Sequence, residues 1–147
     1  MYKRILLAYD GSLAGQKALL DCQEVAQVHR GAEVFLVAVM PQDSVFIGGE
    51  GAFYDPQLAD LEKKKFQGVL AEGLQRLAGT TQPEARGELL VGHPVDAIAT
   101  YAKKIEADLI VVGHKHQESW AKRWWSGSVS KSLIEHSPCS VLVAITA

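Results

Sequence analysis

Three short polar segments carry the residue types from which a ligand site is most readily built. Asp10-Gly11-Ser12 sets a carboxylate acceptor beside a hydroxyl. Gly113-His114-Lys115-His116 follows an apolar run and places a glycine, which lets backbone approach a ligand, next to two imidazoles and an ammonium. Gly127-Ser128-Val129-Ser130 opens a stretch of helical period. A Gly-Ser pair at a helix start offers free amide N–H groups, a hydroxyl and the positive end of the helix dipole, which together suit a phosphate. Each segment also has a plainer reading. Gly113 can be a turn residue, and Ser12 and Ser128 can be N-caps.

Other constellations are less specific. Trp120, Trp124 and Trp125 fall close together, interleaved with Lys122 and Arg123. Such a cluster could stack on a base, close over a site, dock a protein partner or simply fill a groove beside the last helix. His114 and His116, with His93 at the same sheet edge, lack an adjacent Cys or paired carboxylate to complete a metal shell, so no metal site is expected. Asp10 is not half of a phosphoacceptor site, because Gly92-His93, and no second acceptor Asp, follow the third apolar run. No Ser-His-Asp order or nucleophile elbow is present, so turnover beyond weak nucleotide hydrolysis has no visible machinery. Cys22 lies on an apolar helical stripe and reads as core, whereas Cys139 precedes the last strand. His29 and His136 lie towards helix ends, where a cation complements the dipole.

The elements that must position these groups alternate regularly. Apolar runs of strand length span Ile5 to Tyr9, Val34 to Met40, Leu89 to Val91, Leu109 to Val112 and Val141 to Ile145. Continuous apolar runs suit strands buried on both faces, as in parallel sheets. Between them, Ala18, Cys22, Val25 and Ala26 predict a helix after Ser12. Leu58, Leu61, Phe66, Val69, Leu70 and Leu77 predict one opened by Asp55-Pro56, and Val95, Ile98, Ala99, Ala102 and Ile105 one after Pro94. The last helix is expected from Gly127-Ser128 to before Ser137-Pro138. Right-handed crossovers then give an α/β fold, an open doubly wound parallel five-stranded sheet of Rossmann-like kind. Residues 41 to 54, with Gly48, Gly49 and Gly51, are expected to be a flexible connection. In such sheets ligands lie beyond the carboxyl ends of the strands, where strand order reverses.

Composition bounds the function classes. The 147 residues, 48% hydrophobic and 22% charged with a formal net charge of -2, describe an ordinary globular domain, expected to occupy 1–147 as one unit. That charge disfavours nucleic-acid binding. Two cysteines make no disulfide framework. No apolar run reaches the roughly 20 residues of a membrane span, and the N-terminal run stops too soon for a signal peptide, so a cytoplasmic domain is expected.

The opening KRILLAYDGS, the segment VGHPVDAIATYAKKIEADLIVVG and the closing GSVSKSLIEHSPCSVLVAI resemble a universal stress protein domain, and the resemblance runs the length of the chain. It implies a doubly wound, adenine nucleotide alpha hydrolase-like sheet of order 3-2-1-4-5. It also implies a homodimer formed by pairing of the Val141 to Ile145 strand, and a regulatory role in the stress response. An exposed apolar final strand independently favours pairing with a copy.

For the site, the resemblance implies ATP or a related adenine nucleotide, with Mg²⁺ as a possible companion. Asp10 and Val39 would face adenosine. Gly113 and His116 would lie along the ribose and phosphates, and Gly127, Ser128 and Val129 would hold the phosphate chain. Two departures stand out. Nucleotide-binding relatives carry a glycine where this chain has His116, and their interval before Gly-Ser is one residue shorter. A Cβ there competes with close backbone approach. The stretch from Gly113 to Trp120 resembles the branch of the family without ATP, whereas Gly127 to Ser130 resembles the branch that binds it. The alternative is a nucleotide-free dimer that docks a protein partner through its tryptophan loop.

Overall fold

The apolar runs pair edge to edge as one parallel sheet in the computed structural model, which describes residues 1–42, 46–47, 53–115 and 127–146. The elements in chain order are β1 (Arg4–Ala8), α1 (Leu13–Val28), β2 (Glu33–Met40), β3 (Phe46–Ile47), β4 (Phe53–Tyr54), α2 (Pro56–Leu77), β5 (Arg86–Val91), α3 (Pro94–Lys104), β6 (Leu109–Lys115), α4 (Gly127–His136) and β7 (Ser140–Thr146). Strand order is β5-β2-β1-β6-β7. Counting only these five strands as they appear along the chain, this is the expected 3-2-1-4-5.

Two apolar layers flank the sheet because both strand faces are buried. Leu6, Ala8, Val37, Val39, Ile110 and Val112 pack against α3 and Leu133 of α4. Ile5, Leu7, Tyr9, Leu36 and Val111 pack on the other face against Ala18, Leu19 and Cys22 of α1 and Leu77 of α2. Cys22 is fully buried, and burial pushes its thiol up to about 12. It is core, as its place on the stripe indicates. At the amino end of the sheet, the Asp108 carboxylate accepts the Lys3 N–H at 2.8 Å and the Arg4 N–H at 3.0 Å, tying β1 to the start of β6.

Several local readings are corrected. Leu61 is 65% exposed and lies off the buried stripe of α2, which is carried by Phe66, Gly73 and Leu77. Strand β5 begins at Arg86, earlier than Leu89, because it is a sheet edge and tolerates the charged Arg86 and Glu88 that interrupt its apolar run. Residues 41 to 54 are not all irregular: Phe46 pairs with Tyr54 and Ile47 with Phe53 in a small antiparallel ladder. His29 caps the end of α1, and its Nδ1 accepts the Tyr2 N–H at 2.9 Å, so the ring ties the chain's start to the end of the helix.

Candidate functional site

Strand order reverses between β1 and β6, and the crevice past their carboxyl ends is built from the segments that the sequence singled out. The chain leaves β1 through Tyr9, whose N–H donates to the Val37 carbonyl at 2.9 Å. It then turns away at Gly11, whose φ of 79° is the left-handed region that glycine enters without strain. Val39 shares the β1-facing side of β2 with Val37, one ladder step further on. Its N–H and C=O therefore face the gap opened where β1 has ended. The Val39 side chain is fully buried on the α3 face, so only its backbone can meet a ligand.

Asp10 stands at the mouth of this gap. Its Oδ1 accepts the Ser12 hydroxyl at 2.6 Å and the Ser12 N–H at 3.0 Å, the pattern of an Asx turn. Ser12 in turn caps α1, its Oγ accepting the Gly15 N–H at 3.0 Å. Asp10 Oδ2 has no partner among the described residues. Tyr9 lies beneath, fully buried. Its hydroxyl donates to Glu72 at 3.0 Å, and burial, with that carboxylate, pushes it up to about 12. The ring is a structural floor.

Gly113 is not the turn residue after a strand that its sequence suggested. It lies inside β6, paired with Ala144 and buried, because β6 runs on to Lys115 alongside β7. The glycine is needed for packing: a Cβ there would overlap the Ala14 carbonyl and stand 2.7 Å from the Gly15 N. The first turn of α1 therefore rests directly on Gly113, and the same turn holds Ser12 and Asp10.

On the other side of the reversal, Gly127, Ser128 and Val129 form the first turn of α4, where backbone N–H groups have no intrahelical acceptor. Ser130, one residue further, is 6% exposed, and its buried Oγ has no partner among the described residues. A buried hydroxyl without a partner is costly unless water or a ligand meets it. His116, Trp120, Trp124 and Trp125 lie outside the described residues. His114 belongs to β6 and His93 caps α3, with its Nδ1 3.9 Å from Asp96. Among the described residues, no group of three or more His, Cys, Asp or Glu could hold a metal.

Sequence reasoning missed one feature of the crevice. It is Gly15, whose position inside an apolar stripe gave no sign that a side chain there would meet Asp10. Val39 was assigned to adenosine on the resemblance, and the register adds that its backbone pair faces the gap. Two open clefts lie away from the reversal. One of about 430 Å³ runs between β5 and α3, lined by Glu88, Leu90, His93, Asp96, Tyr101 and Lys104 among others. One of about 370 Å³ lies beyond β2, lined by Met40, Gln42, Tyr54, Asp60 and Lys63 among others.

The universal stress protein family matches residues 1–144. This chain belongs to that family. A universal stress protein of Thermus aquaticus is 30% identical over 143 residues, covering 97% of this chain and 98% of its own. A universal stress protein solved in complex with cAMP has a TM-score of 0.71 at 23% identity, with 99% of each chain covered. That from Archaeoglobus fulgidus in complex with dAMP has a TM-score of 0.67 at 23% identity, with 97% of each chain covered. At these identities the two structures show the fold and nothing further of this chain. No helix among the described residues is long and apolar enough to cross a membrane.

Proposed function

We propose that this universal stress protein domain is a cytoplasmic regulatory module that holds an adenine nucleotide at the β1–β6 reversal. The observation that carries the reading is a set of polar groups there that have no partner among the described residues. Past the end of β1 these are the Val39 N–H and C=O and the second oxygen of Asp10. At the start of α4 they are the first-turn amides, which have no intrahelical acceptor, and the buried Ser130 Oγ. A donor–acceptor pair of backbone groups matches the edge of a base. A carboxylate accepts from ribose hydroxyls, and a helix N-terminus binds phosphate. Relatives solved with cAMP and dAMP support the ligand class.

On this reading Asp10 and Val39 meet adenosine, Gly113 and His116 border the ribose and phosphates, and Gly127, Ser128 and Val129 hold the phosphate chain. In ATP, Mg²⁺ would accompany the β- and γ-phosphates; the protein's own part is to bind and orient. We also infer a homodimer, formed through the outermost strand β7 from Val141 to Ile145.

Calorimetric titration of AMP, cAMP and ATP, the last with and without Mg²⁺, tests the nucleotide. The protein must first be cleared of co-purified ligand. Micromolar binding is expected, and Gly127→Trp should abolish it without lowering the melting temperature. A folded, nucleotide-free protein that ignores millimolar amounts of all three would defeat this reading and return attention to the tryptophan loop.

A further inference from the structure

We propose that Ser12 is a positioning residue for the ligand-facing carboxylate of Asp10, and that Gly15 keeps the space this arrangement needs. The inference rests on the assignment of Asp10 to the adenosine side of the site. A single hydroxyl makes both links. Ser12 Oγ donates to Asp10 Oδ1 at 2.6 Å, a short charge-assisted bond, and accepts the Gly15 N–H at 3.0 Å. The Ser12 N–H adds a second donor to the same oxygen at 3.0 Å.

An aspartate at a loop has several staggered rotamers open to it. Two donors on one oxygen select one of them and leave Oδ2 as an acceptor-only atom. That suits a ribose hydroxyl or an adenine amino group, both of which donate. The carboxylate is thus tied to the first turn of α1, which itself rests on Gly113 of β6. A preset acceptor loses less rotamer freedom when the ligand arrives.

Gly15 supplies the independent observation. Glycine inside a helix ordinarily lowers its stability relative to alanine, so its presence in the first turn of α1 calls for a reason. A Cβ at Gly15 would stand 2.6 Å from Asp10 Oδ1 and 3.4 Å from Ser12 Oγ. The carboxylate is the end of a flexible side chain and would swing aside more readily than α1 would move. Alanine at this position should therefore displace the Asp10 carboxylate while leaving the helix intact.

The experiment is titration of AMP into the wild type and into Ser12→Gly, Ser12→Thr, Gly15→Ala and Asp10→Ala, each with a thermal melt. Glycine caps a helix nearly as well as serine. Ser12→Gly should thus weaken AMP binding on the order of tenfold, the loss of a hydrogen bond to a charged group, with little change in melting temperature. Gly15→Ala should weaken it comparably while melting at or above the wild type. Ser12→Thr, which keeps the hydroxyl, should retain both properties. A purely structural Ser12 would lower the melting temperature in Ser12→Gly and leave Gly15→Ala with wild-type affinity, and that result overturns the proposal. Binding lost in Asp10→Ala but untouched in both Ser12→Gly and Gly15→Ala also overturns it, while the nucleotide site stands. No AMP binding by the wild type defeats the nucleotide reading and this inference together.

Discussion

The two edges of the sheet are made of different material. At β5, the outermost strand on one side, Arg86 and Glu88 are exposed and held in place from the α3 face. The Arg86 guanidinium stands 5.9 Å from the Phe35 ring centre, and the Glu88 carboxylate shares one cleft with Tyr101. At β7, the outermost strand on the other side, Val141, Leu142 and Val143 are half-buried, Ile145 is 52% exposed, and Ile134 of the adjoining α4 is 59% exposed. Fixed charges on an edge refuse indiscriminate strand pairing, whereas an apolar edge invites it. The difference teaches that the two edges differ in what they invite, and we propose that a second copy covers the apolar one.

The sharpest way to break the contrast is a charge at the centre of the apolar edge. Val143→Asp should convert dimers to monomers in sedimentation velocity, and dimers that persist would place the interface elsewhere. Removing the charges from the other edge should have an intermediate effect. The double variant Arg86→Val with Glu88→Val should self-associate with rising concentration beyond the wild-type state, and light scattering identical to wild type would mean that the charges do not guard β5.

The smallest effect concerns how the charged edge is anchored. Tyr101→Phe, which removes a hydroxyl that shares a cleft with the Glu88 carboxylate, should lower stability by about 0.5 kcal/mol or less. Burial raises the Tyr101 hydroxyl from its ordinary 10.0 to about 12, and the negative charge of Glu88 adds to the shift. Because the unfolded chain gives up this proton first, the stabilisation is whole below pH 10 and is lost as pH climbs from 10 to 12. Tyr9, raised to about 12 chiefly by burial, titrates in the same window. The decline of stability across that window should therefore be shallower in Tyr101→Phe without vanishing. An unchanged slope by denaturant titration would remove Tyr101 from the account.

The same contrast explains what was legible beforehand. Central strands are buried on both faces, so β1, β2 and the core of β6 announce themselves as unbroken apolar runs. An edge strand answers to solvent on one side, and β5 was read three residues short because Arg86 and Glu88 belong to it. Gly113 misled for a different reason. Glycine after an apolar run signals a turn, but here it signals a helix pressed against a strand, and the two causes leave the same letter in the sequence. Within the site, Asp10 and Ser12 were visible as types, while the bond between them was not. The open backbone of Val39 depends on where β1 stops, a fact about two strands that neither one contains.

The bond from Asp108 to the amides of Lys3 and Arg4 spans 105 and 104 positions. It marks how far synthesis must run before β1 has both its neighbours. Strand β1 can pair with β2 once Met40 has been made, but its other neighbour begins only at Leu109. At the usual pace of translation, about 5–20 residues per second, the first strand waits some seconds with one side bare. The nascent domain thus passes through an interval in which β1, apolar from Ile5 to Ala8, is an edge strand open to pairing with other chains.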